Sequence, residues 1–190
     1  TNCEYDTARA FTAVGGIVET LVIRNLTPAA IEESLAALVA GINQAQIIML
    51  PGGFSAGDEP DGSGKFIAAI FRNPRVREAV MELLYQRDGL MLGICNGFQA
   101  LIKLGLVPFG EIRDLEAESP TLTFNTLGRH VSKLVRTRVA SNLSPWLSQV
   151  KVGEIHTVAV SHGEGRFVAT PELLAEMARR GQIATQYVDL

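Results

Sequence analysis

The chain has 190 residues, 47% of them hydrophobic and 19% charged, the balance of a soluble globular protein with room for a sizeable core. A net charge of -3 lacks the basic footprint that nucleic acid requires, and no apolar run is long enough to span a membrane. The two cysteines, Cys3 and Cys95, read as reduced thiols of a cytoplasmic protein with no secretory leader, and there is no Cys/His cluster at metal spacing.

In chain order, Asn2 is placed to cap a helix over Tyr5 to Val14, with Glu4 and Asp6 favourable in its first turn. Ile17 to Ile23 is rich in β-branched residues and predicts a strand. Thr27-Pro28 is a cap followed by proline at the first helical position, after which Ile31, Leu35, Leu38, Val39 and Ile42 share one helical face. Ile47-Ile48-Met49-Leu50 predicts a short strand buried on both faces, running into Pro51-Gly52-Gly53. Phe54 to Lys65 is a loop, Phe66 to Phe71 is helical, and Asn73-Pro74 interrupts before Val76, Val80, Leu83 and Leu84 continue the pattern. Gly89 to Ile94 predicts a strand and Gly97 to Leu104 a helix closed by Gly105. Beyond Pro108 the pattern changes to short strands at Thr121 to Phe124, His130 to Val139, Val158 to Val160 and Phe167 to Val168. Ser144-Pro145-Trp146 marks a loop or short helix, Pro171 to Arg179 a helix, and Gln182 to Val188 a last strand.

Alternating strands and helices predict an α/β fold: a doubly wound, mostly parallel, flavodoxin-like sheet with a small antiparallel β addition in the C-terminal half. Residues 1–190 are expected to form a single domain, truncated at both ends, since the chain opens in a loop and stops near a strand. In such sheets ligands sit at the carboxyl ends of the strands. Pro51-Gly52-Gly53 and Cys95 both fall there, on one rim.

The stretch Gly93-Ile94-Cys95-Asn96-Gly97 reads as a strand, a tight turn and a helix, with Cys95 on the turn. The G-x-S-x-G elbow of hydrolases has the same logic: the strained turn admits only small neighbours, and the helix N-terminus favours negative charge at the nucleophile. A buried structural cysteine is the alternative for this motif alone.

Three segments together resemble the class I glutamine amidotransferases, and more narrowly the glutaminase of phosphoribosylformylglycinamidine synthase: Gly93 to Gln99, Pro51-Gly52-Gly53-Phe54-Ser55, and Ser161-His162-Gly163-Glu164-Gly165-Arg166. Thr1-Asn2-Cys3-Glu4 is similar to that family's loop after its first strand. The resemblance implies hydrolysis of L-glutamine through a cysteine thioester. The ammonia released serves a synthetase domain or subunit that amidates formylglycinamide ribonucleotide in purine biosynthesis. ATP and magnesium are expected in that partner, with no cofactor or metal in this domain. By resemblance Cys95 is the nucleophile, Gly53 and Asn96 supply the oxyanion N–H groups, and Gln99, Ser161, His162 and Gly163 form the glutamine pocket. The family's base and its orienting acid lie in a His-Pro-Glu motif, which does not occur among these residues. The chain itself is therefore expected to be weakly active or inactive, with His162 as the rival base.

Other residues leave alternatives open. Cys3, His130 and His156 read as structural or ordinary polar residues. Asp58-Glu59-Pro60-Asp61 is a solvated loop, a cation site or a gating segment. Arg129, Lys133, Arg136 and Arg138 form a solvated face or a contact for the synthetase, and Glu164 with Arg166 form an ion pair or part of the pocket. Two other functions compete: a flavodoxin-like redox or deglycase protein with an elbow cysteine, and a non-catalytic docking domain of amidotransferase type.

Overall fold

The computed structural model describes residues 2–54 and 63–189, so Ser55 and the Asp58-Glu59-Pro60-Asp61 cluster lie outside the described residues. The chain divides into two units, Thr1–Leu115 and Glu116–Leu190.

The first unit opens with helix α1 (Glu4–Ala13). Its N-cap is Cys3, without a side-chain cap bond, rather than Asn2. The Asn2 amide oxygen is engaged elsewhere, accepting the Phe54 N–H at 3.1 Å. The strand expected at Ile17 to Ile23 is absent: no ladder is assigned there, and Ile17 and Val22 are 104% and 72% exposed. β-branched residues suit a pleated surface but supply no partner, and a strand needs one. Helix α2 (Pro28–Gln44) begins as expected, with the Thr27 hydroxyl accepting the Ala30 N–H at 3.1 Å. Its Leu35 and Ile42 are buried, and Ile31, Leu38 and Val39 pack beside them.

Strand β1 (Ile47–Leu50) pairs in parallel with β2 (Leu90–Gly93), from Ile47 opposite Leu90 to Leu50 opposite Gly93. Only Ile48 and Leu50 of β1 are fully buried; Ile47 is exposed, contrary to burial on both faces. Between these strands run α3 (Lys65–Phe71) and α4 (Pro74–Tyr85). Asn73 separates them because its side chain accepts the Arg75 N–H at 3.1 Å, starting a new helix at Pro74. Helix α5 (Asn96–Leu104) follows β2, and a helical turn, α6 (Leu106–Phe109), follows it. Helix α2 packs on α4, α3 on α5, and α5 on both strands. Val76, Val80, Leu83, Ala100 and Leu104 form the centre of this core with no measurable exposure.

The second unit is built of antiparallel strands and one longer helix. Strand β3 (Thr121–Thr123) pairs with β6 (Arg166–Val168). Strand β4 (Val131–Val139) lies between β5 (Ile155–His162) and β7 (Thr185–Tyr187). A 3-10 turn at Pro145–Leu147 and helix α7 (Pro171–Arg179) complete it, α7 capped by the Thr170 hydroxyl. The α/β fold is as expected, but the parallel part is one pair of strands among the described residues and the antiparallel part is the larger.

Candidate functional site

The β1–β2 register brings two turns together. The Ile94 N–H donates to the Leu50 carbonyl at 3.1 Å, extending the ladder by one rung. The chain then reverses at Cys95, with φ 53° and ψ -110°. A positive φ on a residue with a Cβ is uncommon, and strained positions of this kind concentrate at functional sites. The reversal closes through the Gly97 N–H to the Ile94 carbonyl and the Gln99 N–H to the Cys95 carbonyl, both at 2.9 Å. Cys95 is exposed and unpaired with Cys3.

The flanking glycines are required by proximity. A Cβ on Gly97 would stand 2.0 Å from the Leu50 carbonyl oxygen, and one on Gly93 2.6 Å from the Gly97 oxygen. A Cβ on Gly52 would lie 3.2 Å from the Cys95 Cβ, so the turn after β1 abuts the nucleophile candidate itself. Gly53 has φ +89° and sits against the Asn2 side chain, whose oxygen holds the next N–H, that of Phe54. Asn96 and Gln99, on the first turn of α5, are both buried.

In the second unit, Ser161 and His162 end β5, and Gly163 begins the turn to β6. His130, just before β4, has its Nε2 3.0 Å from the Ser161 hydroxyl, an exposed contact across the edge between that strand and β5. His162 Nδ1 lies 3.0 Å from the Asn125 amide oxygen. Asn125 does not stand out in the sequence. The available signal for Asn125 is turn chemistry, an asparagine directly after a strand in Asn125-Thr126-Leu127-Gly128. His156 sits beside Glu154, with 3.9 Å between Nε2 and a carboxylate oxygen. A cleft of about 790 Å³ in this unit is lined by Asn125, His162, Gly165 and Arg166 together with Lys133 and Arg136. Part of the basic stretch thus faces a concavity, while Arg138 donates to the Gln186 amide oxygen at 3.0 Å. Among the described residues no group of three or more His, Cys, Asp or Glu is arranged to hold a metal ion. No helix of the described residues is long and apolar enough to cross a membrane.

A strained cysteine at a strand–helix elbow, with a glycine turn against it, is an arrangement suited to covalent attack on a carbonyl carbon. The sequence profile of the CobB/CobQ-like glutamine amidotransferase domain matches residues 1–190, and the chain belongs to that family. It is 33% identical over 187 residues to the phosphoribosylformylglycinamidine synthase subunit PurQ of Rhodospirillum rubrum, covering 98% of this chain and 69% of that subunit. The same subunit of a Synechococcus species is 33% identical over 146 residues, covering 77% of this chain and 57% of that one. Among solved structures, PurLQS from Thermotoga maritima matches with a TM-score of 0.66 and 25% identity, covering 100% of this chain and 71% of that one. The acivicin-bound glutaminase domain of Trypanosoma brucei CTPS matches with a TM-score of 0.50 at 15% identity, covering 97% of this chain and 69% of that one, a likeness of fold. Within the amidotransferases, these relatives place the chain with the glutaminases of phosphoribosylformylglycinamidine synthase. The redox and docking alternatives are not favoured by this membership.

Proposed function

We propose that the chain hydrolyses L-glutamine at Cys95 and delivers ammonia to a synthetase partner that amidates formylglycinamide ribonucleotide. The observation that carries this reading is the positive-φ elbow at Cys95, with Gly52 packed against it, in a chain of this family. The Cys95 sulfur attacks the side-chain amide carbon of glutamine, and the carbonyl π electrons move to oxygen. Backbone N–H groups of Gly53 and Asn96 hold that oxyanion. Each such donor, fixed in advance where charge develops, is worth about 3 kcal/mol. Collapse of the tetrahedral intermediate breaks the C–N bond, and the nitrogen, having taken up the proton given up by the thiol, leaves as ammonia. Water then cleaves the γ-glutamyl thioester to glutamate and regenerates the thiol. Gln99, Ser161, His162 and Gly163 hold the substrate. The partner supplies the site for ATP and magnesium, and the setting is the cytoplasm.

Alkylation by a glutamine-analogue chloroketone tests this directly. The adduct is expected on Cys95 and not on Cys3, and glutamine protects. In the assembled synthase, Cys95→Ser is expected to abolish glutamine-dependent synthesis while an ammonium salt still supports it, which separates chemistry from assembly. Glutamine turnover by Cys95→Ser within tenfold of the parent overturns the assignment. Residues 1–190 alone are expected to turn over several orders of magnitude more slowly than the assembled enzyme, because they contain no His-Pro-Glu motif.

A further inference from the structure

We infer that Asn125 is a positioning residue that fixes the His162 ring, holding its Nδ1–H in the turn so that Nε2 is the nitrogen presented to glutamine. The hydrogen-bonding roles around Asn125 are fixed by the chemistry of its neighbours. The Asn125 amide nitrogen donates to two backbone carbonyls, of His162 at 2.8 Å and of Arg129 at 3.1 Å. Carbonyl oxygens only accept, so that end of the side chain is nitrogen. The other end is oxygen, and it receives the Gly165 backbone N–H at 3.3 Å, an obligate donor. The same oxygen lies 3.0 Å from His162 Nδ1. An amide oxygen only accepts, so Nδ1 carries the hydrogen. Backbone groups thus settle the amide orientation, and the amide settles the ring.

The ring has no freedom to choose otherwise. A Cβ on Gly165 would stand 2.3 Å from ring atoms of His162, so the imidazole lies directly on the backbone of the turn. Asn125 ties that turn further, its own N–H donating to the Gly163 carbonyl at 2.8 Å. With Nδ1–H held in the turn, Nε2 is the ring nitrogen left to meet the substrate. This inference rests on the glutamine reading of the Ser161-His162-Gly163 segment.

Ring-15N histidine labelling separates the two claims, since imidazole nitrogen and Cδ2 shifts distinguish the tautomers without any ligand. The chain has three histidines, and His162→Gln identifies the signal. His162 of the unaltered protein is expected in the Nδ1–H form. An Nε2–H form, or an even mixture, overturns the positioning role whether or not glutamine binds. In Asn125→Ala the Nε2–H form is expected to gain population. In the assembled synthase the same variant is expected to raise the glutamine KM about tenfold, the loss of one well-placed hydrogen bond to the substrate, with a much smaller change in kcat. A tautomer change with KM unmoved overturns the assignment of Nε2 to glutamine and leaves the Asn125 role standing.

Discussion

At Gly97 there is no room for even one carbon. The atom its Cβ would meet at 2.0 Å is the Leu50 backbone oxygen, which cannot rotate away as a side chain can. Gly97→Ala therefore has to widen the gap between α5 and β1, and overpacking of this kind costs about 1–3 kcal/mol. Urea denaturation is expected to show that loss, whereas Gly163→Ala, whose Cβ meets nothing within 4 Å, is expected to leave the midpoint nearly unchanged. Equal losses at the two positions contradict the packing argument. The Gly93, Cys95, Gly97 spacing was legible in the sequence because a tight turn needs small neighbours at fixed local offsets. Asn2 and Asn125 were not. Their bonds join residues 52 and 37 positions apart, and no local pattern announces such pairs.

Element by element, the outcome depended on whether a segment carries its own pairing. Helix α2 was readable because Thr27, Pro28 and the apolar face from Ile31 to Ile42 specify it locally. The Ile17 to Ile23 segment was misread because strand propensity says nothing about a neighbour. Helix α7 illustrates a contribution that varies with solution conditions. Glu176 receives hydrogen bonds from Arg179 and Arg180 on the same helix. Those hydrogen bonds, that of Arg179 first, hold its carboxyl below the usual range. A depressed folded-state value gives stability that is present above the unfolded carboxylate's titration and is lost as pH falls through the folded one. The pair is solvent-exposed and screened, so the effect is small and salt-sensitive. Thermal midpoints of the parent and of Glu176→Gln are expected to differ at neutral pH and low salt, and to converge in acid or in high salt. A gap that persists into strong acid contradicts the assignment to this charge.

The two units differ in how much apolar surface they bury. The first holds the contiguous core of α2, α4, α5 and the β1–β2 pair. In the second, Pro120, Val139 and Met177 are the buried apolar residues among those described, and β7 is exposed along its length. Opening free energies follow burial, so amide exchange is expected to be slowest in α4 and α5 and fast in β3, β6 and β7. Mass-spectrometric hydrogen exchange checks the order, and comparable protection in β7 and α4 contradicts it. Composition and alternating pattern showed an α/β class but not this asymmetry, which depends on how many neighbours each strand acquires.

The backbone at Cys95 also bears on how the protein trades one property against another. A side chain held at φ 53° costs about 1–3 kcal/mol that glycine at the same position would largely avoid. The least strained residue for this turn is thus one that cannot act as a nucleophile. Selection for stability alone would drive position 95 toward glycine. Under the glutaminase reading proposed above, selection for the thiol's chemistry opposes that drift, and relaxed selection would replace Cys95 at little structural loss.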